Sequence, residues 1–285
     1  ESDIDTAQNV NATYVATNGG YYHNQGAETP TTQSGTPGAT TTWTGVVFAD
    51  HIMSLANNAK ISSLGIWNDA AANGLELYVM RDDGSGAFTV MAETGAVNHT
   101  GGSAFQYFAL SGGDYTVPAS GSYYVGGYWP IASGPFTAVG TNTLRYVTSA
   151  AINVGGTIAA GAYSNVTGWV AYKTRGSPPA MTVISKAVVA TASAPTIGRL
   201  HVQIEDITGG STVNTDFKGY VSRDSGTTYT QGTLALAQTL ADSTKAYEFD
   251  NLDISAQPSG TAPRFKFTTH NSKEIRLHGA VVQWK

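Results

Sequence analysis

Leu75-Glu76-Leu77-Tyr78-Val79-Met80 runs straight into Arg81-Asp82-Asp83-Gly84-Ser85-Gly86, and a second apolar run, residues 87–91, follows. Leu75, Leu77 and Val79 alternate with Glu76, Tyr78 and Met80, the two-residue period of a strand with one buried face. The acid-and-glycine turn reverses the chain, and the return run completes a hairpin. The same pattern extends outward. Residues 105–110, 123–129 and 144–147 read as further strands, each set off by Gly, Pro or Ser. Toward the C-terminus Leu200, Val202 and Ile204 alternate with His201, Gln203 and Glu205, and residues 264–269 and 274–284 form a last hairpin. In its second strand Ile275 and Leu277 are out of phase with Val282 and Trp284, so a bulge is expected near Gly279. Residues 50–60, with Ile52, Leu55, Ala56 and Ala59 on one side, are expected to form one short helix.

Composition favours the same class. Charged residues make up 12% of the 285 residues, about half the usual ~25%. Gly numbers 33, and Thr, Ser and Asn are plentiful. Stiff β-branched side chains and many turn formers suit short strands and disfavour helices. The net charge is −5, with 5 Lys/Arg against 11 Asp/Glu in residues 1–179 and 10 against 9 in residues 180–285. Neither part carries the basic stripe that a nucleic-acid partner requires. There is no Cys, hence no disulfide framework or thiolate metal site. No apolar run reaches the ~18 residues of a membrane span. The first residue is Glu1, without an initiator Met or a signal-like apolar stretch, so processing or an upstream start is expected.

The expected fold is all-β: two antiparallel β-sandwich, jelly-roll-like modules preceded by an extended N-terminal arm. Residues 1–42 are polar and without period, which is arm composition; the first module spans residues 43–175. A linker at residues 176–180 contains Pro178-Pro179, which continues neither a ladder nor a helix. The second module spans residues 181–285. Within the arm, Tyr14, Val15, Tyr21 and Tyr22 are expected to anchor it on another chain, the alternative being that it lies across its own first module.

Asp82 and Asp83 have the chemistry for calcium, but acids beside Gly are far more often turn formers. Arg81, Asp82 and Gly84 recur as Arg223, Asp224 and Gly226 in a shared Tyr-Val-x-Arg-Asp-x-Gly frame, expected to be a structural turn in both places. Residues 222–229 also fit the S-x-D-x-G-x-T-aromatic Asp box of sialidase-type proteins, a structural hairpin there. It occurs once here, without a propeller period. Trp67, Tyr128, Trp129 and Trp169 lie beside Gly, Asn or Pro and are the candidates for stacking on a sugar, although core packing is the commoner fate of such rings. The six histidines have no metal-ligand spacing and are expected at the surface or in turns. No nucleophile elbow and no phosphate loop is present. No catalytic residue and no cofactor is expected.

Four ordered blocks carry a family resemblance: residues 199–205, 212–226, 252–261 and 277–284. Together they resemble a module of tailed-bacteriophage virion proteins, and they cover just over a third of the chain. Two departures stand out. Tyr229 follows the turn where Trp is common, and the first 175 residues have only a looser, jelly-roll-type likeness. The resemblance implies a virion structural protein of the particle exterior, a tail, fibre or head-decoration component. It further implies other virion proteins as partners, homo-oligomerisation (a trimer by analogy with phage appendages) and contact with host-surface glycans. A secreted carbohydrate-binding protein is the alternative, and a glycan-cleaving enzyme the lesser one.

Overall fold

The computed structural model describes residues 3–16, 20–38, 43–84, 86–131, 136–138, 144–159, 162–164, 166–187, 193–240 and 244–285. Among them there are strands, turns and bends but no helix, and every pairing between strands is antiparallel. The chain forms two compact units, residues 28–176 and residues 1–27 together with 177–285.

In the unit of residues 28–176, the opening hairpin is strand Ala72–Asp82 against Phe88–Glu93. It belongs to an eight-stranded sheet in which Tyr123–Trp129, Val46–Ser54 and Leu144–Thr148 follow in order. A five-stranded sheet is built on Lys60–Asn68 and Val170–Arg175. The alternating residues meet in one apolar core: Leu75, Leu77 and Val79 from the hairpin, Phe48 and Val125 beside them, and Leu64, Ile66 and Val170 from the five-stranded sheet. A smaller cluster contains Val47, Tyr78, Met80, Phe88 and Ile158, so central strands of the larger sheet are covered on both faces.

Residues 50–60 are not helical. They supply the end of strand Val46–Ser54, a turn and the start of Lys60–Asn68. Val46, Val47, Phe48 and Ala49 are all buried, so this strand is covered on both sides. Pairing with two neighbouring strands outweighs the helical spacing of Ile52, Leu55, Ala56 and Ala59.

In the second unit Ile197–Asp206 lies between Thr244–Asp253 and Ile275–Trp284 in a six-stranded sheet. A four-stranded sheet runs in the order Thr182–Ile184, Arg264–Thr269, Phe217–Ser222 and Thr230–Gly232. Leu200, Val202, Val221 and Phe267 are fully buried and share one core. The register of the last strand slips where Ile204 faces Leu277 and Gln203 faces Gly279, leaving His278 as the extra residue. That bulge returns Ala280 and Val282 to the core side occupied by Leu277.

The N-terminal tract departs most from expectation. Thr13–Val15 pairs with Tyr21–His23, and Tyr22 then pairs with Leu277 and His23 with Arg276, extending the six-stranded sheet. Glu28–Thr32 pairs instead with Val170–Arg175 in the other unit. The division between residues 27 and 28 thus lies well before the limit expected at 42, whereas that between 176 and 177 falls inside the expected linker of residues 176–180. Short strands without period obtain hydrogen bonds and burial by joining the edges of sheets already built.

Candidate functional site

The repeated turn is the chain's most specific motif. At its first occurrence Asp82 Oδ1 accepts from the Gly84 amide at 2.8 Å, and Asp83 accepts from Arg81 Nε at 2.6 Å and from the Thr89 hydroxyl. The Thr89 hydrogen bond, with the Arg81 guanidinium, holds Asp83 below the usual carboxylate range. Both acids thus serve the turn. No group of three or more His, Cys, Asp or Glu side chains able to hold a metal occurs among the described residues. Ser85 lies outside them.

The second occurrence is built differently. Asp224 accepts from the Thr228 amide at 2.9 Å and the Thr228 hydroxyl at 2.7 Å, and Ser222 Oγ donates to it at 2.7 Å. Burial pushes the Asp224 carboxyl up, but these hydrogen bonds outweigh it and hold the group below its ordinary value. Arg223, 8% exposed, turns its guanidinium onto the carbonyls of Pro195 (3.0 Å), Ser255 (2.7 Å), Gln257 and Pro258 (3.1 Å). A buried cation is tolerable when its donors are this fully met. Gly260 lets the clasped loop approach: a Cβ there would stand 2.4 Å from the Arg223 carbonyl oxygen.

The proposed sugar-stacking rings do not gather. Trp67, Trp129 and Trp169 are 8%, 0% and 4% exposed, and only Tyr128 is half-buried. Trp67 and Trp129 lie on strands, and the Trp67 amide donates to the Trp169 carbonyl at 2.9 Å. These tryptophans offer no open face, because large rings contribute most when they fill a core. His99 is likewise buried rather than superficial. Its Nδ1 accepts from the Gly101 amide at 2.9 Å, which leaves Nε2 as the donor toward the carbonyls of Ile66 and Ala104. Burial pushes its pKa down.

The arm tyrosines do gather. A cleft of about 610 Å³ in the second unit is bounded by Tyr14, Tyr21 and Tyr22 on one side and by residues 278–282 on the other. Tyr22 is 6% exposed and joins the core, with the Tyr14 ring 5.2 Å from its own. Tyr21 lies 5.3 Å from the His278 ring and beneath the Arg276 guanidinium at 4.8 Å. Val15 pairs with Tyr21 across the small hairpin. Glu205 accepts from Arg276 at 3.0 Å and lies 3.3 Å from His278 Nε2. Ser185 Oγ accepts from the Phe265 amide at 3.0 Å. The cleft therefore presents aromatic and aliphatic walls, with much of its polar equipment engaged in structure. What sequence reasoning missed is where these tyrosines pack: Tyr22 joins the core of the second unit, whereas the aromatic density of the tract signalled only an anchor. No family model, curated protein or solved structure matches this chain.

Proposed function

We propose that this chain is a non-enzymatic structural protein of the exterior of a tailed-bacteriophage particle: a tail, fibre or head-decoration component. In this reading its two units are antiparallel β-sandwich modules of jelly-roll type. It works as a homo-oligomer, a trimer by analogy, among other virion proteins, and contacts host-surface glycans. The observation that carries the reading is the use made of the blocks that resemble virion modules. Residues 199–205 form the middle of a central strand, and residues 277–284 pair alongside it. Residues 212–226 end in the Asp-box turn, and Arg223 within them clasps residues 255–258 of the third block. The blocks are thus mutually dependent parts of one scaffold, as suits a module whose task is to dock and display. The low charge of the chain suits close packing against copies and neighbours.

Mass spectrometry of gradient-purified particles tests this. The chain should co-purify at a fixed stoichiometry with the other virion proteins and be cleavable by external protease. Its absence from intact particles would overturn the reading.

A further inference from the structure

The outer face of the four-stranded sheet in the second unit holds a cation between two aromatic rings. Phe217, Val221, Phe265 and Phe267 point into the core, so alternation sends Lys218, Tyr220 and Lys266, each half-buried, to the other face. Register places Tyr220 between Lys266 and Gln231, and Lys218 opposite Thr268. Lys266 Nζ stands 4.3 Å from the centroid of the Tyr220 ring and 4.3 Å from that of Tyr229.

Tyr229 reaches this face through the Asp-box hairpin. Asp224 ties down Thr228, and Gly226 at φ +87° leaves the space that the ring needs. A Cβ on Gly226 would stand 2.7 Å from the Tyr229 hydroxyl. The structural motif therefore has a product, the second wall of the lysine sandwich.

The charge pattern is unusual for this acidic chain. Lys173, Arg175, Arg199 and Arg276 each face a carboxylate. Among the described residues neither Lys218 nor Lys266 is paired with one. Lys218 is also close enough to His270 to act, after burial, in lowering that imidazole's pKa. Aromatic walls already strip part of the water from Lys266, so a ligand anion there displaces less.

We propose that this face binds an acidic saccharide, a glycan whose sugars carry carboxylates. The carboxylate takes Lys266 and Lys218, sugar C–H faces lie against Tyr220 and Tyr229, and the exposed amide of Gln231 meets ring hydroxyls. Two lysines are too few for the phosphate-tracking stripe of a nucleic-acid site. The inference rests on the particle-exterior reading for where such a glycan is met, but binding itself is a property of the purified chain.

The test is calorimetric titration of the full chain with oligogalacturonate, with the neutral galactose oligomer and with an acidic peptide as comparisons. Oligogalacturonate should bind, weaken as salt rises, and lose about tenfold or more in affinity in Lys266→Gln and in Lys218→Gln at unchanged melting temperature. Absence of binding to oligogalacturonate overturns the proposal. So does binding that both variants leave intact, or equal binding of the acidic peptide. Loss of binding leaves the chain's presence in particles untouched, whereas absence from particles with binding intact removes only the particle reading.

Discussion

The Arg223 amide donates to the Gln257 side-chain oxygen at 2.8 Å, and the Arg223 guanidinium Nε donates to the Gln257 carbonyl at 3.1 Å. Gln257 Nε2 in turn donates to the Val221 carbonyl and to Thr230 Oγ1, both at 2.9 Å. Two residues far apart in sequence thereby fasten a loop, a strand end and a turn. The matching Arg81 of the first unit has no such role, since it lies at the surface against Asp83. Arg223→Ala should therefore destabilise the protein by about 3 kcal/mol or more, because it strands several buried carbonyls. Arg81→Ala should leave the melting temperature close to that of the native protein. Thermal denaturation of the pair checks this, and equal effects would contradict it.

Gly226→Val should cost ~1 kcal/mol or more, through both the positive φ and the crowding of Tyr229. Asp224→Ala removes the caps on Thr228 and should lower the melting temperature as well. An Asp224→Ala protein that melts normally but loses an activity would contradict the structural reading of this turn.

Strand Ile197–Asp206 was legible because Leu200, Val202 and Ile204 point to one core while polar residues point away. The bulge at His278 was legible too, since only a slip reconciles Leu277 with Val282. The N-terminal hairpin was not, because two three-residue strands carry no period and Tyr22 finds its core only through Leu277. The lysine sandwich was equally hidden. Tyr220, Tyr229 and Lys266 become neighbours only once register is known. The tryptophans misled because flanking Gly and Asn suggested loops, whereas Trp67 and Trp129 end buried strands.

The N-terminal tract should be required for stability rather than detachable. Asn24 Nδ2 donates to the Pro179 carbonyl at 2.6 Å and the Lys273 carbonyl at 2.8 Å, and its Oδ1 accepts from the Ile275 amide at 3.0 Å. Asn24→Ala should cost about 2 kcal/mol by stranding these groups. A chain beginning at Thr42 should melt well below the full chain, because it also loses the buried Tyr22 ring. A truncated protein that melts normally would contradict the placement of the tract.

Asp50 should impose a pH dependence of its own. Burial pushes its carboxyl up to about 6, despite hydrogen bonds from the Ile52 amide, the Thr167 hydroxyl and the Gly168 amide. The folded protein thus binds a proton more tightly than an unfolded chain whose Asp titrates near 3.8. The Asp50 contribution is therefore best below the unfolded value and is lost as pH rises through about 6, a change of about 3 kcal/mol. Asp224 and Glu28, with lowered values, act the opposite way but only at and below the ordinary carboxylate range. Because His51, His99 and His270, held below the ordinary imidazole value, gain stability as pH rises toward it, the Asp50 share is read as the difference between the native and Asp50→Asn proteins: the native protein's advantage in melting temperature should shrink between roughly pH 4 and pH 6. A difference that stays constant across that range would contradict the assignment.

Negative-stain microscopy of intact particles labelled with a gold-tagged antibody to this chain decides whether it belongs to a particle exterior. Regular, repeated labelling at one structure on the particle exterior is the predicted result. Particles that carry no label, while the same antibody recognises the purified protein, would show that the chain is not a virion component.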